Sequence, residues 1–353
     1  MTARTSSLTV SALMLALALL LGACSNSESP SGQASSSPAQ TGSESGSGES
    51  PSSSPSSGPS EEAAPEAAFP RTIHAANGDV TIEKQPQRVA VVHWGYNDSI
   101  LPFDLNSVAL ALPFTEKQSV LRTDAYKPYV DRLDELAIVG ENTAVNLEAL
   151  LAYAPDVIIA GNAINKDIVD SLTKIATTVV LDEEKTDVWG DWPSVVTEFG
   201  RILGQEETAA GFIADFRANV ETAKEKLASI EGSVAFVQIR AKEAWLQGTN
   251  YLPTYYEGMG LKAPESSEME EGAQLSLEGL SQLDPDYLFL GQFNVSDPSL
   301  PALSDEWTQS GVWSTLKAVQ NDRVYNIDGQ LALGYGPLGH SYGVQAILAA
   351  LSP

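Results

Sequence analysis

The chain reads NLEALLAYAPDVIIAG at residues 146–161 and, without a gap in the alignment, SLEGLSQLDPDYLFLG at residues 276–291. The two stretches share one order of polar, apolar and proline positions. Each opens on a good helix N-cap, Asn146 or Ser276, because a short polar side chain can accept from the free N–H groups of a first helical turn. A short helix is therefore predicted at the start of each copy.

A proline ends each predicted helix, Pro155 in the first copy and Pro285 in the second. Proline has no backbone N–H and moves the residue before it out of the helical region. The apolar run behind each proline, which ends in glycine, is typical of a buried parallel strand. A helix-turn-strand unit that occurs twice, far apart, indicates two similar α/β lobes rather than a solenoid, which needs several adjacent copies.

The longest helical pattern lies between the copies, at residues 206–229. Its apolar residues recur at spacings of three and four, as on one face of a helix. At the usual rise per residue it would be roughly 35 Å long. We predict a rigid strut that joins two Rossmann-like lobes, residues 69–205 and 230–353; the alternative is a surface helix of the first lobe.

Shorter patterns predict the other elements, and the segment 93–98 leaves the carboxyl end of a predicted strand, the edge at which open α/β sheets bind ligands. The remaining predicted elements are a hairpin over 72–83 with Asn77-Gly78 as a type I′ turn, strands over 89–92, 107–112, 178–181, 234–239 and 324–327 and around Trp245, and helices over 165–176, 193–203, 253–257, 307–319 and 341–351.

Residues 1–23 have the proportions of a secretory signal peptide, since their apolar run is short for a membrane span. The motif Leu-Gly-Ala-Cys that ends at Cys24 matches the lipobox of bacterial lipoproteins. This resemblance implies that Cys24 is lipidated and becomes the mature N-terminus, which anchors the protein to the extracytoplasmic face of the cell membrane. The alternative is an ordinary signal peptide that is cut elsewhere, with an incidental thiol.

Behind Cys24, residues up to 68 are mostly Ser, Gly, Pro, Glu and Ala, with no aromatic residue. Such a segment buries too little apolar area to offset its chain entropy, so we predict a disordered tether. As a flexible coil, its end-to-end distance would be roughly 35 to 40 Å.

The charge balance excludes some partners: 46 acidic residues against 20 basic ones give a formal net charge of -26. Nucleic acid binding needs clustered Lys and Arg, so it is not expected, and an anionic membrane surface is disfavoured equally. The single cysteine leaves no intramolecular disulfide.

Several further motifs follow one another in order along the chain. Beside the two copies stand Pro-Gln-Arg-Val at residues 86–89, Val-Gly at 139–140, Arg-Val-Tyr at 323–325 and Gly-Tyr-Gly-Pro-Leu-Gly at 334–339. Over residues 70–353 this order resembles the periplasmic-type iron-siderophore binding proteins of ABC importers. The resemblance implies a monomeric α/β protein with two lobes joined by one rigid helix, a ligand cleft between the lobes, modest closure, and no enzymatic activity or cofactor. Haem- and cobalamin-binding proteins share this fold and remain an alternative.

The resemblance also implies a permease, with its ATPase as a separate chain. In the family, a Glu on each lobe fits a pocket of Arg residues on the permease, and Glu148 and Glu278 match those positions by motif. The alternative is local, because a carboxylate in a first helical turn interacts with the helix dipole, by about 0.3 to 1 kcal/mol. This local interaction with the helix dipole accounts for a single Glu. It explains less readily why both repeat copies carry a Glu at the same position.

A ferric siderophore is a bulky, already coordinated complex, so its binder needs aromatic walls and a few Arg donors rather than metal ligands. Arg240 is the strongest candidate for ligand contact, because it follows directly on a predicted strand. The alternative role for its side chain is a structural salt bridge. The candidates on loops that leave strand ends are Trp94, Tyr96, Arg122, Tyr126, Arg240, Trp245, Tyr251, Phe293 and Tyr335.

Two other kinds of site are disfavoured. Direct zinc or manganese binding uses several His and carboxylate ligands, and the chain has only His74, His93 and His340. A hydrolase elbow, G-x-S-x-G, is matched by residues 339–343, but it needs a strand before it and an acid and a His after it. Only ten residues follow, with neither. A lipid-anchored adhesion protein would need neither the paired Glu motif nor the aromatic loops.

Overall fold

The structure, a computed structural model, describes residues 69–352. The predicted signal peptide, the lipidated Cys24 and the tether lie outside the described residues and stay predictions. In the described part, no helix combines the length and the apolar character that crossing a membrane requires.

The first lobe is built on a six-stranded sheet in the order β6-β5-β4-β3-β7-β8, parallel except for β6. Its central strands β4 and β7 are buried at every residue, as continuous apolar runs predict for a parallel sheet covered on both faces. Its strands are β3 (Arg88–Val91), β4 (Ser107–Ala111), β5 (Glu135–Glu141), β6 (Ala144–Val145), β7 (Val157–Gly161) and β8 (Thr177–Leu181). Its helices are α1 (Asn97–Ile100), α2 (Lys127–Val130), α3 (Leu147–Tyr153), α4 (Val169–Leu172) and α5 (Trp192–Leu203), with single 3₁₀ turns at Trp94–Tyr96, Glu116–Gln118 and Val120–Arg122.

A hairpin of β1 (Arg71–Ala75) and β2 (Gly78–Ile82) precedes that sheet. The hairpin was predicted, but its turn type was wrong. Ala75 pairs with Gly78, and of the turn residues only Gly78, at φ 102°, has a positive φ. That pattern belongs to a type I turn followed by a glycine bulge rather than to type I′. The Asn77 side-chain amide donates to the Thr178 carbonyl and accepts from the Val180 N–H, both on the edge strand β8.

Both copies of the repeat fold as predicted. The side chain of Asn146 accepts from the backbone N–H groups of Glu148 and Ala149 at the start of α3. Ser276 accepts from Gly279 at the start of α7 (Leu277–Leu283). Each helix ends on a left-handed residue directly before the proline, Ala154 at φ 52° and Asp284 at φ 41°. The following strands are β7 and β12 (Tyr287–Gln292), one in each lobe.

The long helix α6 (Glu206–Leu227) has 22 residues and lies between the lobes in sequence. It packs against α5 of the first lobe and against the last helix, α11 (Pro337–Leu351), of the second. Its buried side chains are Ala209, Ile213, Phe216, Val220, Ala223 and Leu227. Since both lobes cover this one face, α6 joins them as a single rigid element.

The second lobe has a five-stranded sheet in the order β11-β10-β9-β12-β13. Strands β9, β12 and β13 are parallel, whereas β10 and β11 are antiparallel additions at one edge. The strands are β9 (Val234–Ile239), β10 (Ala244–Leu246), β11 (Ala273–Gln274), β12 and β13 (Val324–Asp328). The helices are α7, α8 (Leu303–Trp307), α9 (Lys317–Gln320), α10 (Gly329–Ala332) and α11, with a π-helical turn at Thr254–Gly258 and a 3₁₀ turn at Trp313–Thr315.

Two predicted helices are much shorter in the structure. The pattern at 165–176 gives only the single turn of α4, because Asn165 does not cap a helix. Its buried side chain instead accepts from the Gly161 N–H and donates to the Val92 carbonyl, which ties the two strand ends together. The pattern at 307–319 is broken into α8, a 3₁₀ turn and α9. The last helix starts earlier than predicted, at Pro337.

Candidate ligand-binding site

A cavity lies where the carboxyl ends of the two sheets face each other. It encloses about 1000 Å³, including the part that opens to solvent. Segments that follow β3 and β4 form the wall from the first lobe, and segments at the ends of β9, β12 and β13 form it from the second. Its aromatic wall residues are Trp94, Phe114, Tyr126, Trp189, Phe293 and Tyr335. The site is thus an interlobe cleft at the sheet edge where α/β folds place ligands.

An aromatic cluster spans the cleft. The ring of Tyr335, from the second lobe, lies 5.2 Å from Trp94 and 5.2 Å from Trp189, both of the first lobe, between ring centroids. The interplanar angles of 66° and 85° are edge-to-face. Each such pair contributes about 0.5 to 1.5 kcal/mol beyond buried area. The cluster therefore holds the two walls together while presenting aromatic surface to the cavity.

Arg240 stands on the opposite wall. It follows β9, and its guanidinium carbon lies 4.8 Å from the centroid of the Phe293 ring, which follows the neighbouring strand β12. Across residues 69–352, no carboxylate forms an ion pair with Arg240. The structural salt bridge considered as its alternative role is thus not found in the described chain. The ring fixes the position of the cation without neutralising it, which leaves its N–H donors for a ligand.

Asp98 closes the base of the cleft. This side chain of α1 is only 3% exposed, and its Oδ2 accepts from the backbone N–H groups of Leu338 and Gly339 at the start of α11, in the other lobe. Gly336 makes room for it: at φ 88°, a Cβ there would lie 2.5 Å from the Asp98 Cβ. Desolvation raises the pKa of Asp98 to about 7, against the opposing effect of those N–H donors and of the Tyr126 hydroxyl.

Further polar contacts cross the cleft near Arg240. The Lys117 ammonium pairs with the Asp297 carboxylate at 2.8 Å, and the Ser296 hydroxyl donates to the Gln118 carbonyl at 3.2 Å. The hydrogen bond from Lys117, together with one from the Ser299 hydroxyl, holds the pKa of Asp297 below its usual value. The lobes are therefore tied on both sides of the cavity in this conformation.

Comparison with known proteins identifies the family to which this architecture belongs. The sequence model for periplasmic binding proteins matches residues 104–331. This chain belongs to the periplasmic binding protein family.

Relatives of this periplasmic binding protein carry iron-related names. The iron(3+)-hydroxamate-binding protein YxeB of Bacillus subtilis (strain 168) is 29% identical over 289 residues, which cover 78% of this chain and 84% of the relative. The Fe(3+)-citrate-binding protein YfmC of the same organism is 26% identical over 260 residues, 73% of this chain and 78% of that one. The structure of Staphylococcus aureus SirA complexed with staphyloferrin B has the same fold, with a TM-score of 0.62 at 22% identity over 80% of this chain and 98% of the other.

Five of the nine candidate residues lie on the cavity wall of this periplasmic binding protein: Trp94, Tyr126, Arg240, Phe293 and Tyr335. Tyr251 lies outside the wall, with its ring 6.5 Å from that of Trp189. Trp245 is partly exposed on β10, where its indole N–H points to Glu243. The sequence brings these residues to strand ends, but only the fold shows which side of each strand they occupy.

Two further candidates have other surroundings. Tyr96 is fully buried, with its hydroxyl bonded to Thr186 at 2.7 Å, so it belongs to the core below the cavity. Arg122 projects into solvent and pairs with Glu116 at 2.7 Å. Neither lines the cavity.

Sequence reasoning missed Trp189, Phe114 and the glutamines at positions 118, 238 and 330, which all line the cavity. Trp189 lies in the irregular segment before α5, so no strand end marked it. The available signal for this wall position was a large aromatic residue in a loop. Gln238 lies inside β9, where an isolated polar residue in an apolar run could have pointed to a wall position.

The three histidines lie in three separate surroundings. His93 is 3% exposed, stacks on Tyr96 and lies 3.4 Å from Glu183, and burial lowers its pKa. His340 is buried in α11, which lowers its pKa to about 4, and His74 pairs with Asp79 in the hairpin. In residues 69–352, no group of three or more His, Cys, Asp or Glu side chains is placed to hold a metal ion.

The hydrolase-like motif has the wrong setting. Residues 339–343 lie inside α11 rather than on a strand-to-helix elbow. The Ser341 hydroxyl donates to the Pro337 carbonyl within the same helix. A serine in that position lacks the strained, exposed geometry on which the elbow depends.

Glu148 and Glu278 occupy the same place in the two lobes. Each is the second residue of its helix, α3 or α7, and each is exposed. Neither carboxylate forms an ion pair within the described chain. The duplicated geometry suits a pair of surface contacts, and the local dipole interaction remains available to both.

Proposed function

We propose that this protein is the substrate-binding subunit of an ABC importer, which captures a ferric siderophore outside the cytoplasmic membrane and passes it to a permease. The observation that carries the proposal is the interlobe cavity. Its wall combines aromatic rings from both lobes with the guanidinium of Arg240, which has no acid partner among residues 69–352. A ferric siderophore needs such a wall because the siderophore already occupies the coordination sites of the iron, so the protein binds the outside of the complex. The names of YxeB and YfmC, which refer to ferric complexes, support it.

The proposal includes the cellular setting. Lipidation of Cys24 anchors the protein to the membrane, and residues up to 68 act as the tether that lets the folded part reach the permease. Glu148 and Glu278 present one carboxylate on each lobe to Arg residues of the permease. The subunit acts as a monomer, in contact with the ATPase only through the permease.

A titration of the purified protein tests the proposal, with Trp94 and Trp189 as reporters on the cavity wall. Ferric hydroxamates, ferric catecholates, ferric citrate, haem and cobalamin are added in turn while tryptophan fluorescence is followed. Saturable quenching by at least one ferric siderophore is the expected result. Quenching by haem or cobalamin alone would overturn the siderophore assignment, and quenching by none would overturn the proposed function. Sedimentation with and without ligand checks the monomer.

A further inference from the structure

The charges on the cavity wall are few. Among the described residues that line it, Arg240 is the one basic side chain and Asp98 is the one acidic side chain. Asp98 is engaged with the α11 N-terminus, and its burial favours the neutral form. The remaining polar side chains are neutral amides and hydroxyls, and the other wall residues are apolar or aromatic. The wall therefore offers at most one uncompensated positive charge.

The cations at the rim add little to this. Lys117 is paired with Asp297 at 2.8 Å, and Arg122 is paired with Glu116 at 2.7 Å. Lys242 follows Arg240 in the same turn, next to Glu243, and does not line the cavity. The chain as a whole carries a formal net charge of -26, whose field repels anions that approach the cleft.

Ferric siderophores differ in net charge. Three singly charged hydroxamate groups neutralise Fe³⁺, whereas three doubly charged catecholate groups leave three excess negative charges, and citrate-type complexes are also anionic. Transfer of an unpaired charge from water into a low-dielectric site is strongly unfavourable. One guanidinium cannot compensate a trianion in an apolar cleft, so the wall discriminates against the highly charged complexes.

We propose that the cavity is built for an electroneutral ferric complex of the trihydroxamate type, rather than for a polyanionic catecholate or citrate complex. This inference rests on the proposed function and narrows its ligand class. Arg240 acts as a hydrogen-bond donor to the hydroxamate oxygens rather than as a counter-ion.

The neutral polar groups of the wall fit such a ligand. The Asn97 side chain donates to the Ala111 carbonyl at 2.6 Å, which fixes this neutral amide at the wall. Gln118, Gln238 and Gln330 add amide groups that can donate and accept. Amide-rich hydroxamate backbones offer the complementary groups.

A series of ferric complexes with different net charges tests the inference. Ferrioxamine B is used with its free amine acetylated, which gives a neutral complex, or succinylated, which gives a monoanion on the same hydroxamate cage. Ferrichrome and ferric enterobactin extend the comparison to a neutral hydroxamate and a trianionic catecholate. We expect the neutral member of each pair to bind at least tenfold more tightly, with little dependence of its Kd on salt concentration.

The outcomes separate the two proposals. Equal or tighter binding of the succinylated complex or of ferric enterobactin overturns the charge inference and leaves siderophore binding in place. Absence of binding by every ferric complex contradicts both.

A substitution in the wall provides a second test. Gln238 lies two residues before Arg240 and, like it, lines the cavity. Gln238→Lys adds a cation there and should shift the preference toward the succinylated complex by about tenfold, the effect of roughly 1.4 kcal/mol. Gln309→Lys, on the exposed surface of the second lobe, is the matched control because it changes the net charge equally. An equal shift in both variants would show that overall charge, not the cavity, sets the preference.

Discussion

At the scale of single residues, the structure distinguishes side chains that the sequence treats alike. Arg240 and Arg122 both sit in loops among strands, and both were candidates for ligand contact. Only Arg240 lies on the cavity wall and lacks an acid partner among residues 69–352, whereas Arg122 is paired and solvated. Arg122 pairs with Glu116, only six residues earlier, but the folded path of the loop decides whether the two side chains meet. The sequence therefore could not separate the two arginines.

The two arginines give a matched prediction. Arg240→Gln should weaken ferric siderophore binding about tenfold or more, because hydrogen bonds from a charged donor contribute about 1.5 to 3 kcal/mol. Arg122→Gln should change the affinity less than twofold, since its exposed ion pair has little energetic weight. Titration by tryptophan fluorescence measures both. Equal losses in the two variants would contradict the assignment of Arg240 to the site.

Asp98 gives a prediction about pH. Its pKa is raised to about 7 in the folded protein. Between about pH 4 and pH 7 the folded state thus holds a proton that the unfolded chain loses. The contribution of this carboxyl to the free energy of unfolding is full below that window and is lost as the pH rises through it, by at most about 1.4 kcal/mol per pH unit. Asp98→Asn keeps an oxygen acceptor for α11 but cannot titrate.

Urea unfolding at pH 5 and pH 8 measures this difference. We expect the wild type to gain more stability, or lose less, on acidification than Asp98→Asn does. The comparison is between variants because other carboxyls, such as Asp156 and Asp286, have lowered pKa values and act in the opposite direction. An identical pH dependence in the two proteins would show that Asp98 is ionised throughout the range.

At the scale of elements, the sequence predicts best where local and tertiary preferences agree. The N-caps, the prolines and the apolar runs of both repeat copies all favour the same helix-turn-strand unit, and both copies fold accordingly. The segment at 165–176 fails because Asn165 uses its side chain to tie strand ends. Such tertiary hydrogen bonds leave no local pattern. Similarly, Trp189 joins the aromatic cluster from a segment with no regular structure.

The cap of α3 can be tested directly. Asn146→Ala removes the acceptor for two backbone N–H groups and should lower the free energy of unfolding by about 1 kcal/mol. Asn146→Asp retains an acceptor and should stay close to the wild type. Urea unfolding at neutral pH gives both values. If the two variants lose equal stability, the side-chain oxygen is not the source of the effect.

At the scale of the whole molecule, the lobes are held by one helix and by contacts on both sides of the cleft. The face of α6 is shared between the lobes, Asp98 caps α11 across the base, and Lys117 meets Asp297 near Arg240. A shared rigid helix allows less relative rotation than a pair of flexible strands would. The same arrangement keeps Glu148 and Glu278 in a fixed relation, since each belongs to a helix packed in its own lobe.

This fixed relation supports the last prediction, on delivery to the permease. The double variant Glu148→Lys, Glu278→Lys should abolish siderophore-dependent iron uptake by cells while leaving the Kd of the purified protein unchanged, because both side chains are exposed and do not line the cavity. The double variant Glu207→Lys, Glu225→Lys, on exposed positions of α6, changes the net charge equally and should retain uptake. Loss of ligand affinity in the first variant would indicate a structural role for the two carboxylates, and loss of uptake in the control would assign the effect to overall charge. Uptake retained by single variants but lost in the double one would indicate that each lobe contributes part of the docking energy.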